Sequence, residues 1–199
     1  MAHDHDHQHD HDHEHEDAEA LRAAQAEARR RHALAQIRQY PDVALRLAAK
    51  ELEDADFDDD LRRLAERMER LMHDAQGIGL AATQVGVLRR VMVFAPDSEE
   101  EARVVVNPKI VERSRDAETE EEGCLSLQGV RVPVERAVRV TLTGRDVDGN
   151  DVRYELDGIG ARVAQHETDH LDGVLIIDRT DSEHRKRALG VLRPQPVLR

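Results

Sequence analysis

The chain is poor in cysteine and in aromatic side chains. It has 199 residues, with one cysteine, no tryptophan and 2% aromatic residues. A single cysteine excludes an internal disulfide and favours a reducing compartment. Because only two tyrosines and two phenylalanines are present, a core must be built mainly from aliphatic side chains.

Long apolar segments and an excess of positive charge are also missing. No apolar run approaches the roughly 18 residues that span a membrane, and the N-terminus lacks the basic-then-apolar pattern of a secretion signal. The formal net charge of −13 argues against a nucleic-acid-binding protein, because contacts with phosphates require clustered lysine and arginine. The sequence therefore predicts a cytoplasmic protein that has neither a membrane nor DNA as its partner.

The sequence is predicted to divide into four parts. Residues 1–16 contain seven histidines that alternate with acidic residues or glutamine, a composition that predicts a disordered arm. Residues 17–36 lack glycine and proline, which favours a helical N-terminal extension. Residues 37–181 form the predicted main domain, and residues 182–199 a C-terminal helix with a basic tail.

Within the main domain, the pattern predicts an α+β fold. Asp58 to Asp60 can cap a helix that runs to about His73. Segments that are β-branched, or that alternate apolar with polar residues, predict strands at 90–94, 103–106, 130–143 and 151–156. Residues 148–150 are a turn signal between the last two of these segments. A second helix is predicted over 159–171, and the order helix, strands, helix is typical of the α+β class.

The most informative motif is His166-Glu167-Thr168-Asp169-His170. Residues four apart lie on one face of a helix, so His166 and His170 could bind one divalent metal, with Glu167 as general base for a water molecule. Two histidines leave the ligand set incomplete. Cys124 is the candidate for a third ligand, because a borderline metal accepts a thiolate. Taken alone, the motif also fits a solvated helix face that binds nothing.

A glycine-rich segment at 77–84, Gly-Ile-Gly-Leu-Ala-Ala-Thr-Gln, has two interpretations. Its glycines permit close approach of a ligand to the backbone, and the amide of Gln84 could donate to a developing oxyanion. Spacing alone favours the simpler alternative, in which a glycine ends a helix and Gln84 lies on the surface.

Three motifs together give the chain a resemblance to a known family. Gly-Ile-Gly-Leu-Ala-Ala-x-Gln at 77–84, Glu-Gly-Cys-Leu-Ser at 122–126 and Gln-His-Glu-x-Asp-His-Leu at 165–171 follow one another as in the peptide deformylases. The resemblance covers roughly residues 36–180. It implies antiparallel strands packed around a central metal-binding helix. It also implies a metal-dependent hydrolase that removes the formyl group from the N-terminal formyl-methionine of nascent polypeptides.

The resemblance further implies a role for each matching residue. Cys124, His166 and His170 would bind one divalent metal, with Fe²⁺ expected and Zn²⁺, Ni²⁺ or Co²⁺ as replacements. Glu167 would carry the proton from water to the leaving amine. Gln84 and the backbone N–H of Leu125 would polarise the formyl oxygen. The substrate-binding residues would be Gly77, Ile78, Gly79 and Gly123.

The chain departs from the family pattern at a few positions. Thr83 and Gln128 stand where many members carry proline. Neither residue is a predicted ligand or proton carrier. The predicted metal helix begins Ile159-Gly160-Ala161-Arg162, where members usually show bulkier apolar pairs. Gly160 is expected to loosen the start of this helix.

Two other functions remain open at this level. An endopeptidase could use the same histidine and glutamate motif, although such proteases normally take a third histidine or a glutamate as ligand. A metal-storage or metal-delivery protein is suggested by the histidines of residues 1–16, although storage needs neither Glu167 nor Gln84.

The two ends of the chain carry separate hypotheses. The histidine arm could be a cloning artefact, an inert solvated tail, or a segment that captures metal ions for the active site. The tail from residue 181 has five positive side chains against two acidic ones. It is interpreted as a solvated helix end or, alternatively, as a contact with anionic ribosomal RNA.

Overall fold

A computed structural model describes the backbone of residues 7–95 and 102–193, and the side chains from Glu19 onward within those ranges. Its α-helices are α1 (His7–Leu34), α2 (Asp59–Asp74), α3 (Gly158–Leu171), α4 (Ile176–Arg179) and α5 (Ser182–Leu192). Its strands are β1 (Gly79–Ala81), β2 (Val91–Phe94), β3 (Arg103–Arg113), β4 (Ala117–Gly123), β5 (Arg131–Ala137), β6 (Arg139–Arg145) and β7 (Asp151–Asp157). Short 3-10 turns lie at Val43–Arg46, Asp54–Asp56 and Ala82–Val85.

The strands form two antiparallel sheets. The larger sheet has the order β1-β2-β3-β6-β7, and β4 pairs with β5 in a separate two-stranded sheet. Helix α3 packs on the larger sheet through Ala161, Val163 and Ala164, which share a core cluster with Phe94 and Leu142. The predicted α+β class, with antiparallel strands around the helix that carries His166 and His170, is therefore confirmed. None of the helices in the described part of the chain is both long and apolar enough to cross a bilayer.

Helix α2 forms where the capping residues and the apolar spacing predict it. The Asp58 carboxylate accepts a hydrogen bond from the Leu61 N–H at 2.9 Å, which satisfies one of the unpaired donors at a helix start. Leu61, Met68 and Met72 are fully buried on one face. Beyond the end of the helix, Gln76 has a φ of 58°, and the chain turns there into the glycine-rich segment.

The predicted strands from residue 130 onward differ from expectation in one respect. The alternating segment 130–143 forms two strands, β5 and β6, that belong to different sheets. The turn between β6 and β7 is as predicted. Gly149 has a φ of 86°, and one oxygen of Asp146 accepts from the N–H groups of Asp148 and Asn150, both at 2.9 Å.

Strand β4 was not predicted from the sequence, because its Ala-Glu-Thr-Glu-Glu-Glu-Gly run contains residues that strands disfavour. It pairs with β5 along its whole length, from Ala117 opposite Ala137 to Gly123 opposite Arg131. The partner strand, together with buried arginines described below, stabilises this acidic segment and places Cys124 at its end.

The N-terminal helix is longer than predicted. Helix α1 begins at His7, and so it includes most of the segment for which composition predicts disorder. Helix propagation is cooperative. The helix of the Ala-rich and Arg-rich second half can therefore extend towards the N-terminus, into the histidine-rich segment. Ala33 and Leu34 join the core cluster of α2. Residues 1–6 and 194–199 lie outside the described residues, and the division into four parts stays a prediction.

Candidate active site

The three predicted metal ligands converge at the junction of the two sheets. Cys124 follows β4, and His166 and His170 lie one turn apart on α3. Their ligand atoms are all within 4.8 Å of one another, and the Cys124 Sγ is 3.2 Å from the His170 Nε2. Among the residues that the structure describes, no other group of three histidine, cysteine or acidic side chains is arranged to hold a metal.

The chemistry of this group fits a divalent metal. A thiol and two imidazoles form the nitrogen and sulfur set that a borderline metal accepts. His170 is 1% exposed, and its Nδ1 has no hydrogen-bond partner among the described residues. Burial lowers the pKa of His170 well below its ordinary value, which keeps the imidazole in the neutral form that binds metals.

Glu122 fixes the orientation of His166. The Nδ1 of His166 lies 3.0 Å from the Oε2 of Glu122. Burial by itself raises the pKa of Glu122, but hydrogen bonds from His166 and Arg136 outweigh this effect and hold it at about 2. Because the carboxylate is anionic, Nδ1 carries the proton and donates it, and Nε2 is the nitrogen left for a metal.

Two buried arginines surround Glu122. Arg136 donates to both carboxylate oxygens at 3.0 Å, and Arg162 donates to Oε1 at 2.8 Å. Arg136 also contacts Asp169 on α3. Buried ion pairs are weak evidence for stability by themselves. Here they connect β4, β5 and α3, and so they set the position of the strand that ends at Cys124.

Glu167 faces the edge strand β1. It is 3% exposed, and burial raises its pKa to about 7. Its Oε2 has no hydrogen-bond partner among the described residues. A Cβ at Gly79 would lie 2.4 Å from the Glu167 Oε1. Glycine at position 79 is therefore what leaves space for this carboxylate.

Gln84 is buried beside Cys124, so the interpretation that placed it on the surface is wrong. It is 1% exposed. Its Oε1 accepts from the Ala81 N–H at 2.8 Å, and its Nε2 donates to the Ser126 Oγ at 3.1 Å. The same Nε2 lies 3.8 Å from the Cys124 Sγ. These contacts fix the amide with its N–H groups towards the ligand cluster.

The predicted substrate-binding residues line one cleft of about 680 Å³ with the chemical groups. The sequence-predicted residues in its wall are Gly77, Ile78, Gly79, Gln84, Gly123, Cys124, Leu125, His166 and Glu167. His170 lies behind this wall, buried beside Cys124. The structure thus brings together every residue that the three motifs nominate.

Several supporting residues were not predicted. Ser126 receives the Gln84 amide, and the Gln39 Nε2 donates to the Leu125 carbonyl at 3.0 Å. The Thr83 hydroxyl donates to the His170 carbonyl at 3.1 Å, which gives this departure from the family pattern a structural role. Glu122 was not predicted as the partner of His166, because the strand that places it there was itself not predicted.

The comparisons with known proteins agree with this geometry. A family model described as polypeptide deformylase matches residues 34–186. The chain belongs to the polypeptide deformylase family. Peptide deformylase 1 of Corynebacterium glutamicum is 45% identical over 163 residues, which are 81% of this chain and 95% of the relative. A peptide deformylase of Alkalilimnicola ehrlichii is 46% identical over 157 residues, 78% of this chain and 86% of the relative.

Solved structures give the same result for the fold. A crystal structure of a peptide deformylase from Legionella pneumophila is 38% identical, with a TM-score of 0.74 over 78% of this chain and 91% of that one. Proteins of the family are metal-dependent hydrolases that remove the N-terminal formyl group from nascent polypeptides, and this is the activity of the chain. Neither the endopeptidase nor the metal-storage interpretation is supported.

Proposed function

We propose that Cys124, His166 and His170 hold the metal of this deformylase, and that Glu167 carries the proton during formyl hydrolysis. The observation that carries the proposal is the convergence of the three ligand atoms within 4.8 Å, in one cleft with the buried carboxyl of Glu167. A divalent metal bound there supplies Lewis acidity, which lowers the pKa of water and polarises a carbonyl oxygen.

Glu167 has the properties of a proton carrier. As water attacks the formyl carbon and a C–O bond forms, the unpartnered Oε2 of Glu167 takes the water proton. When the C–N bond breaks, the same carboxyl gives the proton to the amine nitrogen, so that formate and a free N-terminus result. A pKa of about 7 suits both steps, because general acid–base catalysis is most efficient when the pKa lies near the working pH.

Gln84 and Leu125 are proposed to stabilise the oxygen that becomes negative during attack. The Gln84 Nε2 faces the ligand cluster and is held by Ser126. The carbonyl of Leu125 is held by Gln39, which fixes the backbone next to Cys124. A donor that is already oriented towards such an oxyanion contributes about 3 kcal/mol to the rate.

The substrate chain is proposed to bind as an added strand. In the larger sheet, β1 is an edge strand whose one partner is β2, so its other edge offers backbone groups for pairing. Gly77, Ile78 and Gly79 precede or form this edge, and Gly123 faces it across the cleft. The formyl carbon carries a hydrogen where other acyl groups carry a carbon substituent. It can therefore approach the crowded space between Gly79 and Glu167.

Fe²⁺ is the proposed metal, with Zn²⁺, Ni²⁺ and Co²⁺ as replacements. The support is the mixed thiolate and imidazole set, which suits all four ions. O₂ oxidises Fe²⁺ readily and does not oxidise Ni²⁺ under the same conditions, and an accessible thiolate beside the metal is open to the products of that reaction. We therefore expect enzyme that is loaded anaerobically with Fe²⁺ to lose activity in air faster than enzyme loaded with Ni²⁺.

A ribosome contact through α5 is proposed as the second part of the function, in the cytoplasm where nascent chains emerge. Arg185 pairs with Asp178 at 2.9 Å, so it has a structural role within the protein. Lys186 and Arg187 are exposed on α5. Reversing the charge of Lys186 and Arg187 together, with Arg185 unchanged, is expected to weaken cosedimentation with ribosomes in low salt. Unchanged cosedimentation would exclude this contact.

The main test combines metal content with turnover. Glu167→Gln is expected to retain one metal per chain and to lose turnover of a formyl-methionyl peptide by about 10²- to 10⁴-fold. Cys124→Ala is expected to lose the metal itself. An unformylated peptide should remain uncleaved by the wild type. If Glu167→Gln turned over the formylated peptide normally, the proposed proton carrier would be wrong.

A further inference from the structure

The end of helix α1 forms part of the wall of the active-site cleft. Arg30 and Leu34 line the same cleft as Cys124 and Glu167. The polypeptide deformylase match begins at residue 34, so Arg30 lies outside the matched residues. Helix α1 therefore brings a positive charge to the cleft from outside the matched range.

The packing of α1 directs Arg30 to the cleft. Leu34 is 8% exposed and packs in the core cluster with α2. Arg30 precedes it by four residues and so lies on the same helix face. Arg29 and Arg31 are exposed on either side, about 100° away around the helix. They carry the same charge on the same helix, but they do not line the cleft.

The guanidinium of Arg30 is only weakly engaged. Its ion-pair contact is Glu27, at 3.7 Å, and the two side chains are 39% and 54% exposed. An exposed pair between neighbours on a helix contributes little. Arg30 can therefore exchange this partner for a carboxylate that arrives in the cleft.

Arg131 adds a second positive charge to the same cleft. It is exposed, and its Nη2 donates to the backbone carbonyl of Glu121 at 3.1 Å. A third arginine in the wall, Arg162, is neutralised by Glu120 and Glu122. Glu121 also lines the cleft, but within the described part of the chain neither Arg30 nor Arg131 has a buried carboxylate as its partner. The chain as a whole carries −13.

We propose that Arg30, together with Arg131, makes this deformylase prefer polypeptides with an acidic side chain in the second to fourth residues, directly after formyl-methionine. This inference rests on the proposed function, because it assumes that the substrate leaves the metal ligands along β1. The first residue fills the inner cleft beside Glu167, and the residues that follow pass the outer wall. A carboxylate there replaces Glu27 as the partner of Arg30. One exposed ion pair corresponds to about a 2- to 5-fold change in kcat/KM.

The test uses the metal-loaded full-length enzyme and pairs of formylated peptides. The two peptides of a pair carry glutamate or lysine at the second, third or fourth position and are otherwise identical. For the wild type we expect kcat/KM to favour glutamate by about 2- to 5-fold at one or more positions. Raising the salt to about 1 M, where the Debye length is about 3 Å, should remove the preference.

Variants on α1 separate a local contact from the general field of the protein. Arg30→Glu should reverse the glutamate preference, and Arg30→Gln should abolish it. Arg31→Glu makes the same change in net charge and should leave the preference as in the wild type. The preference would be unrelated to Arg30 if Arg31→Glu altered it equally, or if Arg30→Glu left it unchanged. A wild type without any preference at low salt would also overturn the proposal.

A neutral formylated peptide serves as the reference substrate. Its turnover should persist in Arg30→Glu and Arg30→Gln, which shows that these variants are folded and hold metal. If the wild type did not turn over the neutral peptide, the proposed function itself would fail, whatever the effect of charge. The two failures are therefore distinguishable.

Discussion

Replacing Gly79 by alanine tests the placement of Glu167 with a single methyl group. The added Cβ would lie 2.4 Å from the Glu167 Oε1, 2.9 Å from its Cδ and 2.8 Å from the Val163 Cγ1. Carbon atoms in good contact are about 3.5–4.0 Å apart. The carboxylate must therefore move by about 1 Å, or β1 must shift away from α3.

The expected loss of kcat follows from the proposed role of the Glu167 carboxylate as the proton carrier. A misplacement of about 1 Å at a catalytic group can cost about 10²-fold in rate. Overpacking of a buried site costs about 1–3 kcal/mol of stability. We thus expect Gly79→Ala to lower kcat by about 10²-fold. Cys124, His166 and His170 should still bind the metal.

The assay is turnover of a formyl-methionyl peptide, with metal content and thermal unfolding measured on the same sample. Gly123→Ala is the matched control in the same cleft, because its Cβ would meet nothing closer than the Arg131 Nη1 at 3.7 Å, and the proposed role of Gly123 uses its backbone. It should leave kcat close to that of the wild type. If Gly79→Ala retained normal kcat with metal bound, the inference that glycine at position 79 sets the catalytic position of Glu167 would be refuted.

Three further changes have expected outcomes. Glu122→Gln should lower the free energy of unfolding by about 3 kcal/mol at pH 7, measured in urea after chelator treatment, because the wild-type pKa is about 2 instead of 4.5 and each pKa unit corresponds to about 1.4 kcal/mol. In the wild type this contribution is present above pH 4.5 and is lost as the pH falls towards 2. If the variant lost the same amount of stability between pH 5 and pH 2, the role of Glu122 would be contradicted. Ser126→Ala frees the Gln84 amide and should lower kcat more than KM rises, while equal effects on kcat and on metal content would indicate damage to Cys124 instead. Deletion of residues 1–16 should lower metal occupancy under metal limitation and leave kcat of the reloaded enzyme unchanged; unchanged occupancy would support an inert arm.

The proposed ligands could be nominated from the sequence because each motif is local. His166, Glu167 and His170 follow from helical spacing, and Cys124 from its being the only thiol. Their convergence could not be derived from spacing, because β4 and α3 are brought together by side chains far apart in sequence. Gln84 shows the limit clearly. Its short-range pattern favours a surface residue, but in the structure it is 1% exposed and contacts Ser126, 42 residues away in the sequence.

Strand β4 shows the same limit for secondary structure. Glutamate is depleted in strands, so the composition of this segment does not predict a strand. Glu118, Glu120 and Glu122 alternate along the strand, so they point to one side. On that side the Glu118 carbonyl and the two other carboxylates meet Arg162. The strand is therefore specified by arginines on other elements, and not by its own composition.

Arg162 lies near the start of α3, and its contacts connect this helix to β4 and β5. An unpaired arginine there would be costly because Arg162 is 8% exposed. Its guanidinium instead has four acceptors: Glu120, Glu122, the Glu118 carbonyl and the Val134 carbonyl. Since Arg162 lies one turn before His166 on α3, the same contacts that neutralise it also hold Glu122 against His166. Arg162 is thus compatible with the proposed metal site because carboxylates and carbonyls of β4 and β5 pair with its guanidinium.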